Sequence, residues 1–177
     1  MFLKYYQPNN SIGLTCLNLQ ALLATNQKPL AFKQMPNLWL TGDILPDPCE
    51  TAFVEWEKAG QLNTDLTWQR LQLALQKNNM SLAKKMIAIL PAAQQNLAQL
   101  TVKVHQSPLL VAKTQLFMPL TATTTTIAAD GIIQLASINA PKASQLWPQL
   151  QRNFHFSFEQ QQKIIRAIAI GLARTND

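Results

Sequence analysis

The sequence predicts an all-α fold, about ten short helices stacked as hairpins in a single domain over residues 1–177. Three observations carry this expectation. Ala, Leu and Gln dominate while only five of 177 residues are glycine, and the abundant types lose little rotamer freedom in a helix. Apolar residues recur at helical spacing along nearly the whole chain. The segments between them are a few residues long, which suits helices packed against their neighbours in sequence. Almost half of the residues are apolar, enough for a full core at this length.

Leu14, Leu17, Leu19, Leu22 and Leu23 mark a first helix, ended by Thr25-Asn26. Pro29 suits the first turn of a second helix that runs to Gly42, and Pro36 inside it is expected to kink or split it. Asp47-Pro48-Cys49-Glu50 is a start signal, with Asp47 as N-cap, Pro48 at the first helical position and Glu50 completing a capping box. Phe53 and Trp56 share a face of that helix, and Gly60 closes it. Thr64 or Asp65 opens the next, carrying Leu66, Trp68, Leu71, Leu73 and Leu75 to a stop at Asn78-Asn79.

Ser81 is read as the cap of a helix through Met86 and Leu90, and Pro91 begins another toward His105. A shorter segment covers about Leu109 to Phe117 between Pro108 and Pro119. The tract from Thr121 to Thr126 reads as a loop ending in an N-cap, followed by a helix through Ile127, Ile132 and Leu135 despite Gly131. Pro141 starts the next, with Leu146, Trp147 and Leu150 apolar. Ser157 caps the last, with Gln160 at N3 and Ile164, Ile168 and Leu172 on its core face. No strict tetratricopeptide consensus is visible, so the hairpins are irregular.

The formal charge of +6 is uneven: residues 1–65 are net −2 and residues 66–177 net +8. A basic half attracts phosphates, anionic surfaces or carboxylate-bearing polymers, or is simply a solvated surface. Arg70, Lys77, Lys84, Lys85 and Lys103 are the candidate contacts for such a polymer. Lys84-Lys85 is the one adjacent basic pair, too little for a nucleic-acid surface, so no nucleic-acid partner is expected. No apolar run reaches membrane-spanning length. The first eight residues lack the pattern of a secretory signal and read as the interior of a longer chain.

Catalytic chemistry does not assemble. His105 and His155 have no zinc-ligand spacing, and phosphate-binding glycine loops are absent, so no cofactor and no metal are expected. Glu50, Glu55 and Glu57 suggest capping and solvated positions rather than a carboxylate pair for glycoside cleavage. Trp39, Trp56, Trp68 and Trp147 fall on apolar faces, which favours core packing over ligand stacking. Cys16 and Cys49 read either as isolated buried thiols or as a bridge between neighbouring helices. A bridge spanning 33 positions would remove about 3.5–4 kcal/mol of unfolded-chain entropy, and it would persist only in an oxidising compartment.

From Cys16 to about Gln95 the chain resembles the superhelical domain of soluble lytic murein transglycosylases. The elements are Cys16, Leu38-Trp39-Leu40-Thr41-Gly42, Cys49 after a proline-bearing loop, Phe53-x-x-Trp56-x-x-x-Gly60, Arg70-Leu71-x-Leu73-Ala74, Asn79 and Leu90-Pro91. A looser likeness continues from Thr121 onward. The resemblance implies an irregular right-handed superhelix, part of a ring carrying a separate lysozyme-like domain, and pairing of Cys16 with Cys49. It implies a periplasmic location and a role in cleaving the glycan strands of peptidoglycan. The family's catalytic glutamate is followed by serine, and here the four glutamates precede Thr51, Trp56, Lys58 and Gln160. The expectation is therefore a non-catalytic scaffold segment that positions peptidoglycan, its lysines meeting stem-peptide carboxylates. The alternative is a stand-alone helical-repeat adaptor for a protein partner.

Overall fold

The computed structural model describes residues 11–175, so the reading of the N-terminal residues lies outside the described part. The described residues form nine α-helices and two short 3₁₀ helices without a strand, the all-α fold of stacked hairpins that the sequence predicts. They gather into two compact units that divide between Pro91 and Ala92.

The first unit holds α1 (Ile12–Ala24), α2 (Lys28–Trp39), α3 (Asp47–Lys58), α4 (Thr64–Gln76) and α5 (Met80–Ile89). Helix α1 packs on α2 and α3, and α4 pairs with α5. Three corners share one device. After α1, α3 and α4 the chain enters the left-handed region at Asn26, Gly60 and Asn78, with φ of 60°, 70° and 54°. In each case the amide of that residue and the next turn back onto carbonyls of the closing turn. The pairs are Asn26 to Leu23 and Gln27 to Leu22, Gly60 to Glu57 and Gln61 to Trp56, and Asn78 to Leu75 and Asn79 to Ala74. This Schellman geometry satisfies the last carbonyls and reverses the chain within two residues, which is why the hairpins are tight. Asparagine tolerates the left-handed region better than other residues with a Cβ.

Several helix starts differ from the sequence reading. Helix α2 ends at Trp39 rather than Gly42 and is not split by Pro36. Pro36 sits in the last turn, and its carbonyl still accepts from Leu40 at 3.1 Å. Asp47 is the first residue of α3 and Pro46 occupies the cap, without a side-chain bond, so Asp47 and Glu50 act through charge at the positive helix end. Asn63 caps α4 by accepting from Leu66, and Asn79 rather than Ser81 caps α5 by accepting from Leu82.

The second unit holds α6 (Ala92–Gln106), the 3₁₀ helices Pro108–Ala112 and Thr114–Phe117, α7 (Ala122–Ile138), α8 (Ala140–Asn153) and α9 (Phe158–Thr175). Helix α7 is central, touching α6, α8, α9 and both 3₁₀ turns. Phe117, Ile132, Leu150, Phe154 and Ile164 are the largest fully buried side chains of its core. The threonine tract is helix, not loop: Thr121 caps α7 and Thr124 returns the bond to its amide, drawing Thr123 to Thr126 into the first turns. Gly131 is tolerated in α7 because a Cβ there would fall 2.5 and 2.6 Å from methyls of Val104 and Val111. The reciprocal box at Ser157 and Gln160 forms as its spacing suggests.

Candidate functional site

The residues that carry the family resemblance converge in the first unit. A disulfide joins Cys16 of α1 to Cys49 of α3, both fully buried, with Cα atoms 4.8 Å apart. One turn along α1, Gln20 donates to the Pro48 carbonyl at 2.7 Å, so the first turn of α3 is held covalently and by a hydrogen bond. Trp39 closes α2 and its indole N–H donates to the Leu66 carbonyl in α4 at 3.1 Å. Its ring meets Phe53 edge-on at 5.1 Å and Trp56 at 6.0 Å, and Phe53 and Trp56 lie 6.1 Å apart. Helices α2, α3 and α4 therefore meet on one aromatic cluster, whose edge-to-face geometry adds to simple area burial.

Arg70 caps that cluster. Its guanidinium carbon lies 4.1 Å from the Trp39 ring centre and 5.7 Å from that of Phe53, and the residue is 4% exposed. Its Nε has no hydrogen-bond partner among the described residues. Burial lowers the guanidinium pKa to about 10, opposed by the charge of Glu50. Arg70 is still a cation at neutral pH, but it faces rings rather than solvent. The signal was available in the sequence: Leu66, Arg70 and Ala74 fall four apart, which places the arginine on an apolar stripe.

The segment after α2 is fixed to α4 and α5. Asn79 donates to the Gly42 carbonyl at 3.1 Å, and Lys77 pairs with Asp43, holding that carboxyl below its ordinary range. Gly42 itself is required by a close approach, because a Cβ there would lie 2.3 Å from the backbone oxygen of Leu73. Gly42→Ala must push two backbones apart and is expected to cost about 1–3 kcal/mol, read as a lower urea midpoint with an unchanged slope. No change in midpoint would show that the approach yields freely.

The other candidate contacts are exposed. Lys77 is the C-cap of α4, and Lys85 of α5 pairs with Glu50 at 3.4 Å. Lys84 has no ion pair among the described residues, and Lys103 lies on α6 in the second unit. No group of three or more His, Cys, Asp or Glu among the described residues is arranged to hold a metal ion. No described helix is long and apolar enough to cross a membrane. Glu50 and Glu55 are engaged by Lys85 and Lys58, so what the cluster offers is a rigid clamp rather than an acid–base pair.

Comparison with known proteins gives two different answers. The family described as Cucumovirus coat protein matches residues 17–117. That span begins one residue after Cys16, cutting the disulfide-linked helix, and crosses the boundary between the two units. Capsid jelly rolls are built of β-strands, whereas every element within the matched span is helical. A β-sandwich is incompatible with this helical chain, so that match does not describe its fold. The soluble lytic murein transglycosylase of Escherichia coli K12 is 25% identical over 145 residues, covering 82% of this chain and 22% of the relative. The solved lytic transglycosylase Slt of Pseudomonas aeruginosa superposes with a TM-score of 0.78 at 32% identity, covering 97% of this chain and 28% of that one. The 70-kDa enzyme of Escherichia coli gives 0.77 at 23% identity over 94% of this chain and 27% of its own, which speaks for the fold alone. The chain thus spans between a fifth and a third of the length of the relatives it matches. Sequence likeness and helical architecture agree, and the chain is similar to a helical segment of the soluble lytic murein transglycosylases.

Proposed function

We propose that this chain is a scaffold segment of a peptidoglycan-cleaving enzyme, holding the polymer near a separate catalytic domain in the periplasm. The observation that carries the proposal is the superposition over 97% of the chain on a lytic transglycosylase at 32% identity. The disulfide supports an oxidising compartment. Lys77, Lys84, Lys85 and Lys103 are the exposed cations that would meet stem-peptide carboxylates, and Arg70, sealed against Trp39, serves the clamp.

Exposed ion contacts are screened within about 8 Å at physiological salt, so retention on purified sacculi should be strong at low salt and weak at high salt. Reversing two charges by Lys84→Glu with Lys85→Glu should reduce low-salt retention several-fold, because two attractions become repulsions. Absence of retention in both salts would overturn the proposal. A stable complex with a protein partner and no sacculus retention would favour the adaptor.

A further inference from the structure

Arg70 is the one described residue with a buried side-chain nitrogen that lacks a hydrogen-bond partner. Its guanidinium lies over Trp39 at 4.1 Å and 5.7 Å from the Phe53 ring, at 4% exposure. The rings attract the cation through their faces, but they leave the Nε–H bond unmade. A buried charged donor without an acceptor is among the costlier defects a fold carries.

The carboxylate able to close that defect is on a neighbouring helix. Glu50 stands one turn before Phe53 on α3, a spacing of three that puts both on one face. Its charge already acts on Arg70, partly offsetting the effect of burial on that cation. Glu50 nevertheless pairs with Lys85 of α5 at 3.4 Å, where both side chains are more than half exposed. A pair that long and that open to water contributes little to stability. A bond to the buried guanidinium would be charge-assisted, less screened by salt, and would satisfy a stranded donor.

Glu50 therefore has two cationic partners, one at the surface and one beneath it, and the contact it makes is the weaker. Turning an exposed glutamate between staggered side-chain rotamers needs no backbone movement. Asp43 and Glu55, the other ion-paired acids of this unit among the described residues, are held by Lys77 and Lys58.

We propose that Glu50 is a switched counter-ion: it holds Lys85 while that lysine is free, and turns to the Arg70 guanidinium when Lys85 takes up another anionic group. The carboxylate then ties α3 to α4 across the aromatic cluster, so an anion held at the surface is registered at Trp39. Glu50 is thus a positioning residue that acts through Arg70. The link to peptidoglycan carboxylates rests on the function proposed above, whereas the exchange of partners does not.

The test follows the Arg70 Nε–H and Trp39 indole N–H signals of the full chain by proton–nitrogen NMR, in the parent, Lys85→Met, Glu50→Gln and the double variant. Lys85→Met removes the surface partner and should shift both signals, slowing exchange of the Arg70 Nε proton with water about ten-fold. Glu50→Gln should leave that proton in fast exchange, and adding Lys85→Met to it should change nothing further. Lys84→Met is the control and should leave both signals in place. All three altered positions are exposed, so the variants keep the fold. The proposal is overturned if Lys85→Met leaves the Arg70 proton unprotected, or if it protects that proton equally when Glu50 is replaced by glutamine. No polymer is present in this experiment, so its failure is distinct from a failure of sacculus retention, which would refute only the polymer contact.

Discussion

Replacing Cys16 and Cys49 with alanine is expected to lower the stability of the first unit by about 4 kcal/mol, the largest effect of any change outside the aromatic cluster. The bridge closes a loop of 33 positions, and releasing it lets the unfolded chain regain roughly 3.7 kcal/mol of entropy at room temperature. Alanine is the right replacement because both sulfurs are fully buried, and serine would leave two hydroxyls unpaired beside α1 and α3. The lost sulfur contacts add a small cavity cost. Urea unfolding of the double variant, with the reduced parent protein as control, reads the loss directly. A midpoint shift equivalent to less than about 1 kcal/mol would mean that the hydrogen bond from Gln20 to Pro48 and the packing of α1 on α3 already hold the corner without the crosslink.

Trp56→Ala is expected to cost about 3–5 kcal/mol, the range for truncating a buried tryptophan. Trp56 is the largest fully buried side chain and one side of a three-ring cluster with Trp39 and Phe53. Its removal leaves a void that the disulfide-tied α3 cannot close by shifting toward α1. The effect reaches further than the void. Trp39 loses one of its two edge contacts, and the Arg70 guanidinium above it then sits over a looser ring in the same buried setting. The double variant Trp56→Ala with Arg70→Met should consequently recover part of the loss, because an apolar chain of similar length needs no charge compensation there. Strictly additive costs would show that ring and cation are energetically independent.

Much of the fold was legible because its signals are local. The corner after α3 follows from Gly60, which enters the left-handed region at little cost, and the corner after α4 from Asn78. The box at Ser157 and Gln160 needs only three residues of spacing. The errors are also local, where two signals competed. Asp47 looks like a cap, but its side chain makes no cap bond; the chain enters α3 from an extended Pro46, whose ring fixes φ and whose carbonyl accepts from the Cys49 amide at 2.8 Å. The threonine tract looks like a loop by composition; the bond that the Thr121 amide donates to the Thr124 hydroxyl and burial of Thr124 and Thr125 make it helix. Pro36 falls in a last turn, where a missing amide removes only one bond.

The sequence by itself determined the helical class, most helix ends and, through the spacing from Cys16 to Leu90-Pro91, the family. Periodicity, caps and motif order are properties of residues close together along the chain, so a linear reading reaches them. Only the tertiary structure decided that Arg70 stacks on Trp39 while Lys84 and Lys103 remain at the surface. It alone also set the Glu50 carboxylate of α3 against Lys85 of α5, with its charge felt at Arg70 of α4. Charge and hydroxyl chemistry are the same on every surface of a helix; local spacing can mark an apolar face, as it does for Arg70, but which residues cover that face depends on neighbours tens of residues away.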